Sequence, residues 1–223
     1  MDLAGRVAIV TGGAAGIGRA IAESVSAGGA TVVVVDVAEG ADVRVDMGVA
    51  DDVRALFAFV REQNGRLDVL VNNAGGVFET WQQTLDVNLN GLVLATQLAF
   101  EAMAGEGAIV NVSSVAAFGT AAYGAPDYAA AKAAVVRFSA ALANHDGVRV
   151  NCVCPDWVDT PAVRRSLAEM TPAERAEVPP LVPAGEIAEI VLDLLRDDAA
   201  AGRVVVRFAD EPGSRVLQDD ARG

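Results

Sequence analysis

Residues 6–18 read RVAIVTGGAAGIG, an apolar run that enters a glycine-rich turn without a break. RVAIVT at 6–11 has the composition of a buried strand, and Ile17, Ile21 and Val25 then recur at helical spacing. Strand, glycine turn and helix in that order open a unit of a parallel α/β sheet. Glycines at 12, 16 and 18 let the backbone turn tightly. They also let a pyrophosphate approach the helix N-terminus, where unpaired N–H groups point outward. The spacing is wider than the GxGxxG fingerprint, so its position between first strand and first helix carries the reading.

The pattern continues outward from that turn. TVVVVD at 31–36 is a second strand, apolar throughout, as expected of a strand covered on both faces. A brief third strand is expected within 43–46. The six residues from Val37 to Asp42 are too few for a crossover helix, which predicts a bare loop. A helix over 51–63 carries Val53, Leu56, Phe57 and Val60 on one face. Strands are expected at 67–73, 107–114, 148–154 and 203–208, with helices at 84–103, 127–144 and 185–196. No internal repeat or linker interrupts the series. The reading is one domain over 1–223, with a cofactor half to about 105 and a catalytic and substrate half beyond it.

Composition narrows the function. Hydrophobic residues make up 52% and charged residues 21%, which is a globular balance. No apolar run reaches the roughly 18 residues of a membrane span, and no leader pattern precedes the first strand, so a cytoplasmic protein without a membrane partner is expected. A net charge of −13 argues against nucleic acid as partner. Cys152 and Cys154 are spaced for one face of a strand and read as packing residues. His145 is the only histidine, which disfavours a histidine zinc site or a Ser-His-Asp triad; no metal is expected.

Proton chemistry is offered instead by DYAAAKAAV at 127–135. Four residues separate Tyr128 from Lys132, so a helix stacks them on one face. A free phenol keeps its proton to about pH 10, and a neighbouring ammonium favours the phenolate. Asp36 ends the second strand, where a carboxylate can accept from a ribose 2′-OH and repels a 2′-phosphate. No Arg or Lys follows before Arg44, so NAD is favoured over NADP.

In this order and spacing, TGGAAGIG, Asp36, NNAG (72–75), DVNLNG (86–91), IVNVSS (109–114), Tyr128 with Lys132, and VNCVCPDWVDTP (150–161) resemble the short-chain dehydrogenases/reductases. The likeness implies a doubly wound Rossmann sheet of about seven strands in the order 3-2-1-4-5-6-7. It implies hydride transfer between NAD and a secondary alcohol or ketone, with Asn88, Ser114, Tyr128 and Lys132 as catalytic residues. Tyr128 would serve as general base or acid. Lys132 would lower its pKa and hold the ribose hydroxyls, Ser114 would bond the substrate oxygen, and Asn88 would fix a water beside Lys132. Cofactor contacts are implied for Gly12, Ala15, Gly16, Ile17, Gly18, Asp36, Asp46, Asn73, Ala74, Gly75, Tyr128, Lys132, Pro155, Val158 and Thr160. Among these, Asp46 would meet the adenine, and Val158 and Thr160 the carboxamide. A homotetramer or homodimer is implied as well, built on the 84–103 and 127–144 helices.

Ser113 competes with Ser114 for the serine role, but on a strand it faces the opposite way. Tyr123 lacks a lysine four residues on and is a candidate for the pocket wall or a loop cap. Asp156 stands where the family has glycine; its carboxylate either faces solvent or enters the pocket and disfavours anionic substrates. Val163, Leu167 and Met170 are candidates for an apolar pocket or for local packing. WQQTLDVNL (81–89) and FADEPGS (208–214), the latter in place of an Asp-Gly-Gly, bear a loose resemblance to the hydroxyprostaglandin dehydrogenase branch. Two other functions fit a dinucleotide-binding fold: a non-catalytic NAD-binding sensor or scaffold, against which the presence of all four active-site residues argues, and a sugar-nucleotide epimerase or dehydratase, for which the short C-terminal region leaves little room.

Overall fold

β-branched residues dominate the central strands, and a strand whose two faces are both covered must be apolar at every position. In the computed structural model, which describes residues 1–119, 124–143, 145 and 147–217, four such strands lie at the centre. The strands are β1 (Val7–Thr11), β2 (Thr31–Asp36), β3 (Val43–Arg44), β4 (Val69–Asn72), β5 (Gly107–Val112), β6 (Val148–Pro155), β7 (Val158–Asp159), β8 (Val182–Pro183), β9 (Val204–Arg207) and β10 (Arg215–Leu217). Eight of them form one sheet in the order β10-β9-β6-β5-β4-β1-β2-β3, while β7 and β8 pair separately. From β3 to β9 the pairing is parallel and follows the expected order. Antiparallel β10 was not anticipated. All three of its residues are exposed, so it carries no buried alternation to read.

The helices are α1 (Gly16–Ala27), α2 (Ala50–Asn64), α3 (Trp81–Leu85), α4 (Gly91–Met103), α5 (Pro126–Ala141), α6 (Pro161–Glu169), α7 (Pro172–Ala176) and α8 (Ala184–Arg196). The pleat sends alternate residues of each strand to opposite layers. Ala8 and Val10 pack with Ile21 and Val25 of α1 and with Ile187, Val191 and Leu195 of α8. Val7 and Ile9 pack with Val53, Leu56 and Val60 of α2 and with Ala95 and Ala99 of α4. α5 closes a third cluster through Val135, against Cys152 and Cys154, which are the buried packing residues expected. β2 departs from its prediction. Val33 and Val35 are buried, but Val32 and Val34 are only half-covered, because β2 lies one strand from the sheet edge.

Two further differences bear on function. The single helix expected over 84–103 is a composite: α3 starts at a Thr80–Gln83 capping box, Asp86–Asn90 form a π-helical turn, and α4 follows. The segment between Pro161 and Pro183, read as apolar pocket or local packing, forms α6 and α7, and neither helix buries a residue. The loop from Val37 to Asp42 carries no helix, as its length required. β1 has β2 on one side and β4 on the other, so successive connections leave it in opposite directions. Open parallel sheets offer a crevice at such a switch point.

Candidate active site

The crevice at the C-terminal ends of β1, β2, β4 and β5 has a volume of about 870 Å³. Its floor is the glycine turn. Gly12 has φ +64°, in the left-handed region, and a side chain there would meet the Ala74 backbone at 2.9 Å. A Cβ on Gly18 would lie 2.1 Å from the Gly12 carbonyl oxygen, so only glycine lets α1 begin this close to β1. The side-chain amide of Asn73 donates to the carbonyls of Thr11 and Gly12 at 2.9 and 3.1 Å. The Thr11 hydroxyl oxygen accepts from the backbone N–H groups of Asn73 and Ala74, both at 3.0 Å. Thr11 is a clamp that the motif reading passed over; its position directly before the first glycine was the available signal. The result is a preformed cradle at the N-terminus of α1, where Ala15, Gly16 and Ile17 line the cleft. That cradle fits a dinucleotide pyrophosphate.

Asp36 lines the cleft at the end of β2. Its two oxygens accept from the N–H groups of Ala14 and Ala38 at 3.1 and 3.0 Å. Each oxygen keeps a further lone-pair site, which suits a ribose hydroxyl. Asp46 also lines the cleft, with its carboxylate turned onto the Gly48 N–H at 2.8 Å. Among the described lining residues the cations are Lys132 and Arg165, and Arg165 comes from α6, far from Asp36 in sequence.

Lys132 and Tyr128 both line the cleft from α5. The Lys132 Nζ lies 5.5 Å from the centroid of the tyrosine ring and donates to the Val112 carbonyl at 3.0 Å. A Cβ on Gly75 would stand 2.5 Å from the Asn88 amide oxygen and 3.1 Å from that Nζ, so both side chains crowd the space the glycine leaves. Lys132 is only 3% exposed, and burial pushes its ammonium down from the usual 10.5 to about 8. The serines do not fall as strand alternation predicts: Ser113 lines the crevice, and Ser114 is not among its lining residues. The Ser113 hydroxyl is buried and donates to the Lys132 carbonyl at 2.7 Å, tying β5 to α5. The Ser114 hydroxyl accepts from the Ala116 N–H at 3.1 Å, at the start of a short 3-10 turn packed on α5. Accepting that bond leaves its own proton to donate.

Asn88 is fully buried within the π-helical turn. Its amide nitrogen donates to the carbonyls of Gly76 and Thr84, both at 2.7 Å, and its oxygen accepts from the Gly76 N–H at 3.1 Å. Both side-chain donors are therefore spent, one on the loop after β4 and one on α3. A water beside Lys132 is left only an acceptor site on the asparagine oxygen.

Twelve of the anticipated cofactor residues line the crevice together: Gly12, Ala15, Gly16, Ile17, Asp36, Asp46, Asn73, Ala74, Gly75, Tyr128, Lys132 and Thr160. Gly18 lies under the turn. Pro155 and Val158 are buried and are not among the residues lining the crevice, and Val158 packs in the core shared with α8. Asp156 does not line the pocket; its carboxylate accepts from the Ala209 N–H at 3.1 Å. The cleft-facing side of α6 is Pro161, Ala162 and Arg165, rather than Val163 and Leu167. Val37, Met47 and Phe78 are further apolar lining that no motif marked, and Val87 of DVNLNG joins them. Tyr123 lies outside the described residues.

The family model for short chain dehydrogenase matches residues 6–171. The chain is 38% identical to cis-4-hydroxycyclohexanecarboxylate dehydrogenase of Sinomonas cyclohexanicum, with 87% of this chain and 91% of that one covered. It is 35% identical to the NAD(+) 15-hydroxyprostaglandin dehydrogenase of Mus musculus, covering 92% and 90%. The ligand-free aldohexose dehydrogenase of Thermoplasma acidophilum superposes with a TM-score of 0.82 at 29% identity, over 96% of this chain and 98% of the other. With the glycine cradle, the strand-end carboxylate and the Tyr-Lys pair in one crevice, the chain belongs to the short-chain dehydrogenase family.

Proposed function

We propose that this chain is an NAD-dependent oxidoreductase that interconverts a secondary alcohol and its ketone, with Asn88, Ser114, Tyr128 and Lys132 as its active-site residues. The observation that carries the reading is Lys132, a buried ammonium held beside the Tyr128 ring in the same crevice as the glycine cradle. Bound NAD supplies the hydride acceptor, or as NADH the donor. Tyr128 takes the hydroxyl proton of the alcohol, or returns it to the ketone oxygen. Lys132 favours the phenolate of Tyr128 and holds the ribose hydroxyls with the donors it does not spend on Val112. Ser114 donates to the substrate oxygen where charge develops. Asn88 positions the loop carrying Gly75 and Gly76, which Lys132 abuts. Asp36 selects NAD over NADP by repelling a 2′-phosphate.

The dehydrogenase relatives support catalysis over a sensor or scaffold role, and their names place the reaction on hydroxyl-bearing carbons. Phe78, beside Gly76, makes that part of the crevice apolar, which suits a substrate with a hydrocarbon body. Tyr128→Phe should lower turnover of secondary alcohols at least a thousandfold, on the scale of a lost general base, while NAD still binds. Substantial turnover in that variant, or a preference for NADP, would sink the assignment.

One domain, a cytoplasmic location, and no nucleic-acid or membrane partner belong to the same reading, as does assembly into a homotetramer or homodimer. No described helix is long and apolar enough to cross a membrane. Exposed Ala130 and Ala133 on α5 would let a second copy's helix approach closely. A single monomeric boundary in sedimentation velocity would overturn the oligomer.

A further inference from the structure

We propose that Arg165 reaches across the crevice to the diphosphate of the bound dinucleotide, so that α6 closes over it as a cationic clamp. This rests on the dinucleotide reading above and adds to it a residue that no motif of the chain marks.

The geometry begins at Thr160. Its hydroxyl accepts from the Val163 N–H at 3.2 Å and caps α6, while its methyl group would lie 3.1 Å from a Cβ placed on Gly16. The N-terminus of α6 therefore rests on the N-terminus of α1, where the phosphate cradle lies. Pro161, Ala162 and Arg165 share one face of α6 by their three- and four-residue spacing, and all three line the crevice. The neighbouring arginine has a different task. Arg164 forms a double hydrogen bond with the Asp159 carboxylate at 2.5 and 2.7 Å, which anchors the first turn of α6 to β7. Among the described residues Arg165 makes no ion pair.

Charge gives the same answer. Described carboxylates lining the crevice are Asp36, Asp46 and Asp86, in a chain of net charge −13. A diphosphate entering it brings two more negative charges. Of the two lining cations, Lys132 is buried and bonded to Val112 at the Tyr128 end, and α1 has no basic residue in its last turn and no acidic one in its first. Arg165 is the side-chain cation left to offset the diphosphate, and a guanidinium matches phosphate oxygens in a forked geometry.

Isothermal titration of NAD and of ADP-ribose, which lacks the nicotinamide, into the wild type, Arg165→Ala and Arg165→Lys tests the clamp. Arg165→Ala should weaken both ligands about tenfold, the scale of one charge-assisted contact. The dependence of Kd on NaCl should become shallower, and Arg165→Lys should recover part of the affinity. The ligand-free melting temperature should stay within a degree or so, as for an exposed substitution. An ADP-ribose Kd within twofold of wild type in Arg165→Ala overturns the clamp, and so does a change confined to the KM of an anionic substrate. A wild type that binds neither ligand removes the dinucleotide reading itself, a result distinct from an insensitive Arg165→Ala.

Discussion

Lys132 is the only lysine in the chain, against sixteen arginines. An arginine in its place would stay charged whatever its burial, whereas an amine can be tuned by desolvation. The buried amine titrates near 8 rather than 10.5. Between those values the unfolded chain holds a proton that the folded chain has released, so stability rises with pH across that window. Below pH 8 the folded state bears the full cost of the buried ammonium. Lys132→Met should therefore be more stable than wild type at pH 7, by an amount of order 3 kcal/mol if the shift acts alone, and the gap should close towards pH 10.5. The single lysine makes the check direct: one ¹³Cε resonance from labelled lysine should titrate with a midpoint near 8. A midpoint near 10.5, or a pH-independent gap in urea unfolding, would refute the burial argument. At this scale the sequence carried more than geometry alone would suggest. The Tyr-Lys pairing followed from helical rise, whereas the serines did not follow strand alternation, because β5 ends at Val112 and Ser113 rather than Ser114 lines the crevice. Asp156 was not legible, because its partner is the N–H of Ala209, fifty-three residues away. The two departures from the family pattern, at 156 and at 208–214, meet in that one bond.

Element by element, the parallel strands and amphipathic helices were legible because their burial imprints a period on the sequence. α2 buries Val53, Leu56, Phe57 and Val60, and α8 buries Ile187, Ala188, Val191, Leu194 and Leu195, in the pattern a one-sided helix must show. The π-helical turn at Asp86–Asn90 left no such imprint. One added residue in a turn shifts the apolar face slightly without breaking it. Its marks are chemical instead. Asn88 spends its amide on Gly76 and Thr84, and Gly91 ends the turn where a Cβ would lie 1.9 Å from the Met47 carbonyl. α6 was hidden for a related reason. A segment with one exposed face and one ligand-facing face has little core to bury, so its apolar residues pointed to Val163 and Leu167. The crevice is met instead by Pro161, Ala162 and Arg165.

Over the whole molecule the acids outnumber the bases by thirteen, and the charge distribution sets a balance that can be measured. Several exposed ion pairs hold the surface together, among them Arg19–Glu23, Arg54–Asp51 and Arg203–Asp197. Each exposed pair contributes about 0–1 kcal/mol, and salt weakens it. Opposing them are carboxylates with no ion pair among the described residues, such as Asp46 and Asp52, which lie close together around the start of α2. Their repulsion is long-ranged at low ionic strength, where the Debye length is about 30 Å at 0.01 M, and is largely screened once it falls below about 8 Å. With this imbalance the repulsive sum should exceed the attractive one, so the melting temperature at pH 7.5 should rise between 0.01 and 0.3 M NaCl. Relief of about 1 kcal/mol corresponds to about 2–4 °C for a chain of this size. Chloride is the salt to use, since sulfate would strengthen apolar burial and confound the reading. A melting temperature that falls with NaCl would mean that the ion pairs outweigh the excess acid, and that the arginines of this chain are spent on its stability.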